Sequence, residues 1–127
     1  MKTIDLKNTI VSLDDEGIIH IHIKAHSNMQ LNDAVDTLEA MRVIGENKKF
    51  PVLIDAGEFS NVDKEVRIFS ADAENNIYTL ADAIAYSTFA QKLVANFYVK
   101  HNQPSVPTKI FGDKEEAIVW LRTFLKK

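Results

Sequence analysis

Cysteine is missing from this chain altogether, so disulfide staples, thiol nucleophiles and thiolate metal sites are excluded. Glycine and proline are scarce, at four and three residues. The glycines stand singly, which leaves no glycine-rich loop to cradle a phosphate. No apolar run reaches the roughly 18 residues of a membrane-spanning helix. The opening MKTIDLKNTI mixes charges among its apolar residues, unlike a signal peptide. Neither charge sign dominates: 15 basic and 18 acidic residues give a net charge of −3, too acidic and too evenly mixed for a nucleic-acid footprint. What is present is ordinary globular material, 46% hydrophobic and 26% charged over 127 residues, enough for one domain with its own core. The expectation is a cytoplasmic protein, a single domain over 1–127, with no internal repeat, no nucleic-acid partner and no membrane span.

The first ordered segment reads as a hairpin. NTIVSL leads into the acidic turn DDEG and then IIHIHIK, with Gly17 suited to the positive φ that such turns often use. On the second strand Ile19, Ile21 and Ile23 share one face, while Ile18, His20, His22 and Lys24 share the other. One face is therefore covered and the other wetter. LNDAVDTLEAMRVIG reads as a helix ended by Gly45, with Leu31, Ala34, Val35, Leu38 and Met41 in its inward stripe and Asp33, Asp36 and Glu39 outside it. FPVLIDAG holds a strand from Val52 to Asp55, apolar enough to be central in a sheet. DKEVRIFSADAENN reads as a second helix, with Asp63 as its N-cap and Val66, Phe69 and Ala73 facing inward.

Residues 77–101 leave two readings open. Propensity makes them one alanine-rich helix. A strand near Asp82 to Tyr86, followed by a helix from Thr88 to His101, fits equally, with Phe89, Leu93, Val94 and Phe97 in one stripe. Tyr98 lies about 100° from that stripe and is expected to point outward as a contact surface. At the C-terminus PSVPTKIF is a proline-bounded strand ending at Phe111. Asp113 and Glu116 then open a helix as a capping box, and Ala117, Trp120, Leu121, Phe124 and Leu125 form its stripe. Lys126 and Lys127 complement the negative end of its dipole. Strands alternating with helices imply an α/β fold with a mostly parallel sheet.

Two of these segments carry a resemblance. TKIFGDKEEAIVWLRTFL and VLIDAGEFSNVDKEVR are similar to the closing strand–helix and the central strand–loop–helix of the SpoIIAA-like group of the STAS superfamily, the sulphate-transporter and anti-anti-sigma domains. That group is also linked with Sec14-like lipid carriers. The resemblance covers roughly residues 8–126. It implies a SpoIIAA-like α/β fold in the order β-β-α-β-α-β-α-β-α, its first strand antiparallel, with four helices and a strand at ADAIAY. Anti-anti-sigma members carry Asp-Ser-Ser-Gly at the start of the second helix, with the second serine phosphorylated. Here Asp63 matches the aspartate, Lys64 and Glu65 stand on the serines and Val66 on the glycine. The phosphoacceptor is gone, and Glu65 supplies one negative charge where phosphoserine supplies about 1.5 to 2.

Three sets of side chains are candidates for chemistry. His20 and His22 project from the same strand face, and with His26 they offer a possible metal set. The plainer reading is a strand with polar residues on its open face, and no metal or other cofactor is expected. Asp55, Glu58 and Asp63 gather at the C-terminal end of a central strand, where α/β sheets place ligand sites. A carboxylate-dependent hydrolase needs two of them in one pocket with divergent pKa values. The plainer reading is a solvated loop plus an N-cap. Ser60 lacks the Gly-x-Ser-x-Gly surroundings of an activated nucleophile. Finally, Tyr86, Phe89, Phe97, Tyr98 and Phe111 belong either to the core or to an apolar ligand cavity. The resulting expectation is a non-enzymatic STAS-like interaction domain, acting on a protein partner or on itself as a homodimer. Its interaction or regulatory loop is Asp55, Glu58, Ser60, Asp63, Lys64 and Glu65. The alternative is a carrier or sensor of a small apolar or lipid-like ligand, held between the sheet and the second or third helix.

Overall fold

The computed structural model describes residues 2–125, so the two terminal lysines expected to complement the last helix lie outside the described residues. Strands β1 (Lys2–Asp5), β2 (Thr9–Leu13) and β3 (Ile19–Ile23) form an antiparallel meander. The β2–β3 turn forms because Asp14 takes three backbone N–H bonds, from Glu16, Gly17 and Ile18, on one carboxylate oxygen. Gly17 sits there at φ +96°, as its position in the turn implied. β1 is an edge strand that the apolar pattern had not disclosed: its KTID is mostly exposed, with Ile4 alone joining the core.

After β3 come the two-residue β4 (Asn28–Met29), helix α1 (Leu31–Ile44), β5 (Phe50–Ala56), the two-residue β6 (Asn61–Val62), α2 (Lys64–Ala71), β7 (Thr79–Ala85), α3 (Phe89–Phe97), β8 (Thr108–Phe111) and α4 (Lys114–Arg122). A 3₁₀ turn (Ala73–Asn75) follows α2, and a π-helical turn (Tyr98–Asn102) continues α3. The main sheet runs β1-β2-β3-β5-β7-β8, with β3, β5, β7 and β8 parallel; β4 and β6 pair separately. Ala81–Ala85 of ADAIAY therefore lie on β7 beside β5, and the single-helix reading of 77–101 is excluded.

The two sheet faces bury different sets. On one, Val11, Ile19, Ile21 and Val52 pack against Ala40, Met41 and Ile44 of α1; Ile23 joins Ala34 and Val66 of α1 and α2. On the other, Ile18, Leu53 and the alanines Ala81, Ala83 and Ala85 meet Ala117 and Leu121 of α4. Small residues on β7 let α4 approach closely, and Trp120, Phe124 and Leu125 close that layer as their stripe required. Asp113 caps α4 by accepting the Glu115 N–H at 2.9 Å; Glu116 takes no part in a box with it.

Helix α1 is rotated from its expected stripe. Leu31 and Val35 are about half exposed while Asp33, Thr37 and Ile44 are buried. Polar partners explain this: Asp33 accepts from Asn8 Nδ2 and the Gln30 N–H, both at 2.9 Å, and the Thr37 hydroxyl meets that of Thr9 at 2.8 Å. Removing the carboxylate in Asp33→Ala strands two donors, and should lower stability by about 1–3 kcal/mol in urea unfolding. A change under about 0.5 kcal/mol would mean that water satisfies both donors.

Candidate functional site

The histidines that head the list of metal candidates have separate partners. His20 Nε2 lies 2.8 Å from Asp14 Oδ2, and His22 Nδ1 lies 3.1 Å from Asp55 Oδ2 on the neighbouring strand. His26 is beyond the strand, its ring tilted against Phe59 at 5.5 Å. No group of three metal-ligating side chains forms among the described residues. Burial opposes ionisation of Asp14, but the Ile18 N–H, the His20 ring and the Glu16 N–H outweigh it and hold its pKa below the usual carboxylate value.

The loop residues are likewise dispersed. Asp55 faces the α4 side, between His22 and Lys114 Nζ at 3.4 Å. Ser60 is buried on the opposite side, where Gln91 Nε2 donates to its carbonyl at 3.1 Å and its hydroxyl at 3.3 Å. Asp63 stands at the N-cap of α2, yet its side chain accepts no capping bond; its backbone carbonyl takes the Val66 and Arg67 N–H groups instead. Glu58, Lys64 and Glu65 are exposed. No hydrogen bond or ion pair joins Asp55, Glu58 and Asp63 among the described residues, so the arrangement a carboxylate hydrolase needs is not assembled.

A cavity of about 380 Å³ does form, between the sheet and helices α1, α2 and α3. Its origin lies in α3. That helix turns Phe89, Leu93 and Phe97 to solvent, 70%, 55% and 50% exposed, and presents Ala90, Val94 and Ala95 to the interior. Small side chains there cannot fill the space over β5 and β7. Ile21, Ile23, Met41, Ile54 and Ile84 supply apolar walls. Phe59, Asn61 and Ala90 are both exposed and part of the lining, so the cavity reaches the surface beside the β5–β6 loop. Gln91 fastens that loop to α3: its Nε2 also donates to the Gly57 carbonyl at 2.8 Å, and its Oε1 accepts from the Ser87 N–H at 2.7 Å.

Three of the four α3 stripe residues thus face away from the interior, Val94 alone lining the cavity, and Tyr98 is buried at 7% exposure rather than turned outward. The π-helical turn carries Tyr98 past the end of α3 and under it. Ala73 is also exposed, because α2 ends two residues before it.

The buried polar side chains differ in their partners. Among the described residues the buried Thr9, Asp33, Thr37, Ser60 and Asn76 all hydrogen-bond through their side chains. Thr79 and Asp82, both on β7 and both lining the cavity, do not. Burial pushes the Asp82 pKa up to about 7. Burial, and then the Asp82 charge, push that of the nearby Tyr98 phenol upward too. Apolar periodicity passes over Asp82, since it reads as one polar letter in an alanine-rich strand. Only the unexpected acid in a mostly buried β7 signals it.

A family model described as a domain of unknown function, DUF7793, matches residues 11–125. The chain belongs to the DUF7793 family. No functionally curated protein matches it. Among solved structures, this DUF7793 domain is similar to an uncharacterised DUF3478-family protein of SpoIIAA-like fold from Shewanella loihica PV-4. The TM-score is 0.61 at 15% identity, over 95% of this chain and 99% of that one. The fold is SpoIIAA-like, with the antiparallel first strands, parallel centre and four helices of that architecture. A protein of unknown function from Arthrobacter sp. FB24 is 17% identical over 87% of this chain and 90% of that one, with a TM-score of 0.29. No helix among the described residues of the DUF7793 domain is long and apolar enough to cross a membrane.

Proposed function

We propose that the whole chain acts as one non-enzymatic STAS-like domain that binds a small apolar ligand between its sheet and α1–α3, as a carrier or sensor. The observation that carries this reading is the apolar cavity of about 380 Å³, within the range of small-ligand sites. Well-packed interiors seldom leave a void of that size. A neutral, environment-sensitive dye such as Nile red should bind one per chain. Ala34→Phe, which fills the α1 wall, should weaken that binding by about tenfold or more. Undiminished binding in Ala34→Phe would remove the cavity from consideration.

A second reading, contact with a protein partner or a second copy, is favoured by the exposed Phe89, Leu93 and Phe97 on α3, with Phe59 and Ile68 also exposed. The loop residues Glu58, Lys64 and Glu65 are also exposed, and Glu65 in the phosphoserine slot makes a phosphorylation switch there unworkable. This reading expects a defined dimer or complex in light scattering, lost in Leu93→Ser. A strict monomer that captures no partner would count against it.

A further inference from the structure

We infer that the ligand is a hydrophobic primary amine whose ammonium group is received by the Asp82 carboxyl, with the Thr79 and Tyr98 hydroxyls beside it. This deepens the cavity reading and rests on it. Asp82 is 7% exposed, lines the cavity, and has no side-chain hydrogen bond or ion pair among the described residues. Buried carboxylates are otherwise paired, because an unpartnered one in apolar surroundings is strongly unfavourable. The missing partner here faces ligand space.

Charge selects what that partner is. The titratable groups on the cavity wall besides Asp82 are Arg67, Tyr86 and Tyr98. Arg67 is the lone lining cation and is partly engaged elsewhere: Nη1 donates to the Val62 carbonyl at 2.9 Å and the guanidinium lies 5.9 Å from the Phe97 ring centre, while its buried Nε has no partner among the described residues. It makes no ion pair with Asp82 among the described residues. The two tyrosines supply no positive charge. A ligand alcohol leaves the carboxylate uncompensated, and a ligand acid sets like charges against each other. An ammonium compensates it. Its three N–H donors also match the available acceptors, a carboxylate and two hydroxyls, none of which has a side-chain hydrogen-bond partner among the described residues. The apolar walls take the hydrocarbon. With its pKa raised to about 7 by burial, Asp82 ionises readily once a cation sits against it.

Calorimetric titration of the full chain at about pH 8 with n-octylamine, 1-octanol and octanoate tests this, the three probes sharing one tail and differing in head-group charge. The amine should bind at least about tenfold more tightly than the alcohol, and octanoate most weakly. In Asp82→Asn the amine's advantage should shrink to about threefold or less while the alcohol still binds. The wild-type ranking alone decides the matter if that variant fails to fold. Equal affinities for amine and alcohol, or a preference for octanoate, would overturn the amine assignment and leave the cavity reading standing. If none of the three binds, and the dye is also excluded, both fall.

Discussion

Asp82→Asn is expected to make the protein more stable at pH 8, by about 2–3 kcal/mol in urea unfolding. The reason is a proton that the folded chain holds more tightly than the unfolded one. In the unfolded chain the carboxyl titrates at its ordinary value of 3.8, and in the folded chain burial raises this to about 7. Between those values unfolding releases a proton, so wild-type stability falls as pH rises, then levels off above the folded value. The whole interval corresponds to about 4 kcal/mol; the new buried amide, lacking partners of its own, offsets about 1–2 kcal/mol of the gain. Near pH 4 the variant should be the less stable by about the 1–2 kcal/mol of the amide cost, and the order should reverse through pH 5–7. A gap that stays flat across pH would show that Asp82 is not the titrating group. A bound amine should narrow the gap at pH 8 from the wild-type side, because it stabilises only the ionised carboxylate.

Gly57→Ala is the second large effect, this time a loss. Gly57 is buried where the β5–β6 loop crosses the end of β3, and its N–H donates to the Ile23 carbonyl at 2.8 Å. An added Cβ overlaps that same carbonyl oxygen and sits 2.7 Å from the Ala25 nitrogen. Both neighbours are backbone and cannot swing aside, so the loop itself must move. The cost expected is about 1–3 kcal/mol of stability. The displacement also carries Phe59 and Ser60 away from the cavity and loosens the grip of Gln91, so Nile red binding should fall with it. Unfolding curves and dye titration on one preparation separate the two losses. Unchanged stability would mean that the loop relaxes freely and does not brace the cavity mouth.

The fold was largely legible in the letters, for reasons that differ by element. Alternating isoleucines around DDEG specify β2 and β3, since only a period of two puts Ile19, Ile21 and Ile23 on one face. The α4 stripe and its Asp113 cap were equally direct. Residues 77–101 were not: ADAIA has good helix formers, and propensity yields to the pairing of β7 between β5 and β8. β1 escaped notice because an edge strand needs few buried side chains. The candidate site was legible only in its location, between the sheet and the second and third helices. Its walls were only partly assigned: Tyr86, Val94 and Tyr98 do line it, but a stripe of phenylalanine and leucine at helical spacing reads as inward facing, and here α3 turns Phe89, Leu93 and Phe97 out.

The sequence alone determined the class of fold and the absence of thiol chemistry, because each depends on residue type or on short-range period. Only the tertiary structure decided that α3 leaves space over β7, that Asp82 faces it with no hydrogen-bond or ion-pair partner among the described residues, and that the three carboxylates of the β5–β6 region do not converge. Those facts depend on how helices rotate against a sheet, and that is set by packing and buried polar pairing across the whole chain, which no local pattern encodes.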